Sequence, residues 1–129
     1  MAGKIIADTL ETGAGADIAT SYVVNGSAKA WCTFQGTGTA SIKDSLNASS
    51  LTDVGTGQYT ITLTNSLNDT NYNVQISTHG TGSYSDWIAS HWYNTNYKSA
   101  SSYRIEIVDE SDNFFDTQEG SGLLHGDLA

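Results

Sequence analysis

Apolar and polar positions alternate with period two through much of this chain. In "GTGQYTITLTNSLNDTNY", residues 55–72, Tyr59, Ile61 and Leu63 alternate with Thr60, Thr62 and Thr64, glycines stand before the run, and an Asn/Asp-rich turn follows it. Successive side chains of a strand point to opposite faces, so the run predicts a strand at 58–64 with one apolar face and one hydroxyl face. Tyr72, Val74 and Ile76 against Asn73, Gln75 and Ser77 predict another strand, and Tyr103, Ile105 and Ile107 against Arg104 and Glu106 predict the last clear one. Nearer the start, "KIIADTLE" at 4–11 reads as a first strand. Asn25–Gly26 lies between two β-rich runs, the favoured chemistry of a two-residue hairpin turn, which predicts strands at 20–25 and 27–35. Further strands are expected at 39–44 and, briefly, at 50–54. "DWIASHWY" at 86–93 is apolar on both parities, and its aromatic content and flanking turns favour a strand over a helix.

Eight or nine short strands with turns between them predict an all-β chain, an antiparallel β-sandwich or jelly-roll-like fold. The length suits one domain, expected over 1–108. From Asp109 to Ala129 the pattern changes. This stretch carries six acids, no Lys or Arg, a Gly/Ser hinge at "EGSG", and two apolar pairs, Phe114–Phe115 and Leu123–Leu124. It reads as an acidic C-terminal tail, either frayed or acting as an arm that docks the two pairs on a neighbouring subunit.

Composition adds one tension. Leu, Ile, Val and Phe make up about a fifth of the chain, near the level at which chains stop folding alone. Seven Tyr, three Trp and clear strand periodicity argue against disorder. A fold that completes its core against copies of itself reconciles the two. The net charge of −9, with only five Lys and Arg, argues against nucleic acid and anionic membrane surfaces as partners. No apolar stretch approaches the roughly 18 residues of a membrane span. The start lacks the apolar core of a signal peptide, so synthesis is expected in a cytoplasm. Cys32 is the sole cysteine and lies in an apolar strand pattern, where a small buried hydrophobe is expected.

Catalytic and metal patterns are scarce. His79, His91 and His125 lack ligand spacing, "VDESDNFFD" lacks the alternating acids of a calcium hand, and no serine sits in a nucleophile elbow. "GTGTAS" and "GTGQY" lie between strands and read as turns rather than phosphate cradles. The expectation is a non-enzyme without metal or cofactor. One segment stands apart: "SYSDWIASHWYNTNY" gathers Tyr84, Trp87, Trp92, Tyr93 and Tyr97 among Ser and Asn. Exposed aromatic rings beside polar groups suit sugar rings, which offer C–H patches and hydroxyls together. These five are the candidate ligand-binding residues for a glycan or host surface. The alternative is that the two Trp fill the core.

Residues 22–72 resemble a module of bacteriophage virion proteins, notably tail fibres and their distal domains. The matching features are "YVVNGSAKAW", "GTGT", "DSLNASSLTD", "GTGQYT" and "DTNYNV", and the upstream "IIADTLETGAGADIAT" fits the same module. Beyond residue 80 the likeness fades. The resemblance implies a β-rich, homotrimeric component of the virion surface, with other virion proteins as partners and no catalytic residues. It suggests a fibre tip or knob in host recognition or particle assembly. A tail fibre usually carries a long N-terminal anchor and shaft, whereas here the module begins almost at Met1. That departure leaves open a stand-alone knob or a capsid decoration protein, whether head fibre or cement. A free carbohydrate-binding module is the third reading.

Overall fold

A computed structural model describes residues 3, 6–79, 89–91, 97–109 and 111–129. Its strands are β1 (Thr9–Glu11), β2 (Asp17–Ala19), β3 (Ala30–Gln35), β4 (Ser41–Leu46), β5 (Ala48–Gly55), β6 (Gln58–Leu63), β7 (Asn73–His79), β8 (Ala89–His91), β9 (Lys98–Ser99), β10 (Ser102–Val108) and β11 (Glu119–His125), with one helix, α1 (Thr20–Gly26). All pairings are antiparallel. One sheet runs β4-β3-β11-β7 and the other β5-β6-β10-β8, with β9 also on β10. The chain is an all-β antiparallel sandwich.

The period-two runs form the facing sides of the two sheets. Tyr59, Ile61 and Leu63 of β6 point inward, and so do Tyr103, Ile105 and Ile107 of β10 and Ala30, Cys32 and Phe34 of β3. Rings from opposite sheets meet where Phe34 approaches Tyr59, with centroids 4.9 Å apart and planes tilted by 50°. The core cluster closes within the chain, so the expectation of a core completed by other copies is not needed to explain the sandwich. Between sheets the chain turns at Asn47, which joins β4 to β5 with φ of 56°, a left-handed conformation that Asn tolerates better than most residues. The Asn47 amide donates to the Lys29 and Asn65 carbonyls at 3.1 and 3.0 Å, and its Oδ1 accepts from the Asn65 backbone N–H at 2.7 Å.

Two expectations are corrected. Residues 109–129 are not a tail: β11 lies between β3 and β7, in register with both, and Leu124 is fully buried. The strand runs Glu-Gly-Ser-Gly-Leu-Leu-His, and its inward positions are Gly120, Gly122 and Leu124. Glycine is required there because a Cβ at Gly120 would stand 2.4 Å from Phe34 Cζ, and one at Gly122 would stand 2.7 Å from Tyr103 Oη. The approach to β11 is also anchored. The Asp116 carboxylate accepts from Tyr59 Oη and from the Gly57 N–H, each at 2.8 Å. Thr117 is buried with its hydroxyl 2.8 Å from the His79 carbonyl. The sandwich therefore extends past 108 to the chain's last residues.

The second correction concerns Asn25–Gly26, which ends α1 instead of turning a hairpin. Asn-Gly suits a helix terminus as well as a tight turn. Here Ser27 donates through its N–H to the Val23 carbonyl and through its hydroxyl to Val24, while the Lys29 ammonium donates to the Val24 and Ser27 carbonyls. A cation on the last carbonyls complements the helix dipole.

Candidate functional site

Outward-facing residues of the β5-β6-β10-β8 sheet form a polar field. Register places Ser50 and Thr52 beside Thr62 and Thr60, and these beside Ser102 and Arg104. The hydroxyl face read from the alternating run therefore continues across three strands. Glu106 extends the row between Gln58 and the backbone of His91, and is buried. At the end carrying β9, the Arg104 guanidinium stacks on the Tyr97 ring, 3.8 Å from its centroid, and its Nε lies 3.5 Å from Thr60 Oγ1. Tyr97 keeps 37% of its surface exposed despite that cover. An aromatic face, a guanidinium donor and a row of hydroxyls are the groups with which a surface holds a polyol.

Of the five residues expected to bind, Tyr97 is on this face. Tyr84, Trp87, Trp92 and Tyr93 lie outside the described residues. Arg104 is a candidate residue that the sequence pattern did not single out. Its outward parity in "YRIEI" was visible, but its partnership with Tyr97 needs the β9–β10 pairing to bring the two together.

Cys32 has no exposed surface, and burial pushes its thiol up to about 11, which keeps it protonated and unreactive. Among the described residues, no group of three or more His, Cys, Asp or Glu side chains converges to hold a metal ion. Among them, too, no helix is long and apolar enough to cross a membrane.

A second surface lies where the first elements leave the sandwich. The β1–β2 hairpin and α1 bury none of their described side chains, and they expose Ile6, Leu10, Ile18, Tyr22, Val23 and Val24. At their root an open cleft of about 460 Å³ is lined by Val23, Val24, Lys29, Leu46, Asn47 and Leu128, among others. Sequence pattern had assigned this stretch to paired strands and so gave no hint of an uncovered arm. No protein-family model, curated protein or solved structure matches the chain.

Proposed function

We propose that this chain is a structural protein of a bacteriophage virion surface, of the tail-fibre or knob kind, that assembles as a homotrimer and meets host polysaccharide through the outer face around Tyr97 and Arg104. One observation carries the reading. A sandwich with a closed core bears, at one end, an arm whose apolar side chains its own body leaves uncovered. Such a division suits a part that is joined to other parts by the arm and shows its polar sheet outward.

The residues behind the resemblance support the same view, because the described structure gives them scaffold roles. Asn47 makes the corner between sheets. Gly57 turns β5 into β6 with φ of 66°, at a point where a Cβ would stand 2.6 Å from the Ile107 carbonyl. Tyr59 and Tyr72 fill the core. A module defined by corner, turn and core residues transmits a shape and leaves the chemistry to variable surfaces. Repetition of one weak glycan contact by symmetry would then raise avidity by about 10²–10⁴.

Capsid decoration is the second reading, favoured by the gathering of most of the uncovered large apolar groups on the arm and at its root, where a clamp would grip. Immunogold labelling of particles with antibody against the purified chain tests both. Labelling at the tail tip is expected. Labelling over the capsid transfers the assignment to decoration, and particles without label overturn the virion reading.

A further inference from the structure

We infer that the outer face around Tyr97 selects acidic glycans, whose carboxylate or phosphate oxygens the Arg104 guanidinium holds. The inference rests on the reading of that face as the glycan contact and adds the chemical class of the glycan. It does not depend on where on a particle the protein sits.

Three observations carry it. The first is how the chain uses its cations. Fourteen Asp and Glu stand against five Lys and Arg, so acids are in surplus and basic side chains scarce. Among the described residues, the Lys29 ammonium caps the end of α1, Lys43 pairs with Glu119 at 2.7 Å, and the Lys98 ammonium donates to the Tyr72 carbonyl and lies 4.1 Å from the centre of the Tyr72 ring. Arg104 differs. Among those residues no carboxylate lies within ion-pair distance of it, and the 3.5 Å approach of its Nε to Thr60 Oγ1 is its one hydrogen-bond contact. Its terminal amino groups thus have no acceptor among the described residues. Next come the acids of the same sheet. Those described on its strands are Asp53 and Glu106. The Asp53 carboxylate accepts from the Gly55 N–H at 3.1 Å. Glu106, on the same face of β10, is 4% exposed and forms no ion pair with Arg104. Neither supplies the oxyanion that a guanidinium fork fits. The last is placement. Stacking on Tyr97 at 3.8 Å holds the guanidinium, so little rotamer freedom is left to lose on binding. Thr60, Thr62 and Ser102 stand beside it by register and offer hydroxyls to those of a sugar. A planar guanidinium grips carboxylate or phosphate through two parallel hydrogen bonds, each about twice as strong as a neutral one. A neutral sugar meets the hydroxyls but leaves the fork unfilled. The net charge of −9 repels an anionic polymer at a distance, yet physiological salt screens exposed charges beyond about 8 Å, so the contact itself decides.

An array of bacterial surface polysaccharides, probed with the full chain, reads the preference directly. Each uronic-acid polymer is printed beside its carboxyl-reduced neutral form, and each polymer with phosphate side groups beside its phosphatase-treated form. Acidic forms should bind at least about tenfold more tightly than their neutral partners, and the pair that shows the difference tells carboxylate from phosphate. Arg104→Ala should abolish the preference, and Arg104→Lys, which keeps the charge but loses the fork, should restore only part of it. Lys43→Ala makes the same change of charge on the other sheet and should leave the preference intact. Near-UV circular dichroism verifies that each variant keeps its core. Equal binding of acidic and neutral forms overturns the inference and leaves the glycan reading standing. So does a preference that survives in folded Arg104→Ala, or one that falls as far in Lys43→Ala. Absence of binding to every polysaccharide on the array overturns the glycan reading and the inference together.

Discussion

Gly120→Ala distinguishes a core strand from a hinge by the sign of its effect. The substitution adds one methyl group to the inward face of β11, where an ideal Cβ would lie 2.4, 2.7 and 3.0 Å from Phe34 Cζ, Cε1 and Cε2. Gly120 is opposite Phe34 in the ladder, so the ring lies over the glycine of the neighbouring strand. Phe34 cannot retreat easily, because it has no exposed surface and Tyr59 backs it at 4.9 Å. Overpacking of this kind costs about 1–3 kcal/mol. For a domain of this size each kcal/mol moves Tm by roughly 3–5 °C, so the variant should melt about 3–15 °C below wild type. In a flexible hinge the same change would stabilise by about 0.4–1 kcal/mol, because alanine restricts the unfolded chain more than glycine does. Leu124→Ala is the companion: loss of a fully buried leucine should cost about 2–5 kcal/mol. Thermal unfolding followed by far-UV circular dichroism at matched concentrations reads both. A Gly120→Ala variant that melts at or above wild type refutes the placement of β11 in the core.

Two tyrosines should respond oppositely to loss of the hydroxyl. Tyr59→Phe strips a donor from the part-buried Asp116 contact and should cost about 1.5–3 kcal/mol, whereas Tyr103→Phe removes a buried hydroxyl with no hydrogen-bond partner among the described residues and should be neutral or stabilising by up to about 1 kcal/mol in urea unfolding. Alkaline pH should destabilise the fold: burial raises Cys32 from 9.0 to about 11 and Tyr72 from 10.0 to about 12, and it raises Tyr59 and Tyr103 as well. The folded chain holds these protons longer than the unfolded chain, so the stability is complete below pH 9, falls as pH rises through these folded values, and shows as a declining urea midpoint. Tyr97→Ala and Arg104→Ala should each weaken binding to host cells or a glycan array while shifting Tm by no more than a few degrees, since both side chains lie on the outer face; unchanged binding in both would remove this face from the site.

The elements legible in the sequence are those whose inward positions carry hydrophobic side chains. β3, β6, β7 and β10 announce themselves through period two because their inward residues are Cys32 and Phe34, Tyr59 and Ile61, Val74 and Ile76, Tyr103 and Ile105. β11 does not, because two of its three inward positions are glycine and the apolar matter that fills the space belongs to Phe34 and Tyr103 on other strands. Hydrophobic periodicity counts what a residue brings and is blind to what it makes room for. The helix was hidden for another reason. Asn25–Gly26 satisfies the rules for a hairpin and for a helix end alike, and the choice rests on Ser27 and Lys29 reaching back to the last carbonyls. At the candidate site, the composition of the aromatic segment singled out Tyr97, while its contact with Arg104 became visible only once β9 folded against β10.

The same exchange of bulk between strands bears on whether the scarcity of aliphatic residues forces copies to share an interior. Among the described residues four rings, those of Phe34, Tyr59, Tyr72 and Tyr103, occupy the core, and the glycines of β11 let two of them, Phe34 and Tyr103, lie close to its backbone. Aromatic side chains bury 150–250 Å² each, more area per residue than any aliphatic. A few rings over glycine thus do what many leucines do in other sandwiches, and the deficit in aliphatic content disappears inside a single chain. Most of the large apolar side chains that remain uncovered lie on the arm and at its root. The two arrangements differ on dilution. If the core were shared, there would be no folded monomer, and dilution below the association constant would unfold the chain. With the core closed, dilution should yield a folded monomer whose near-UV signal from buried Tyr59 and Tyr103 persists while the mass falls. Loss of that signal in step with dissociation would mean that the sandwich interior depends on its neighbours after all.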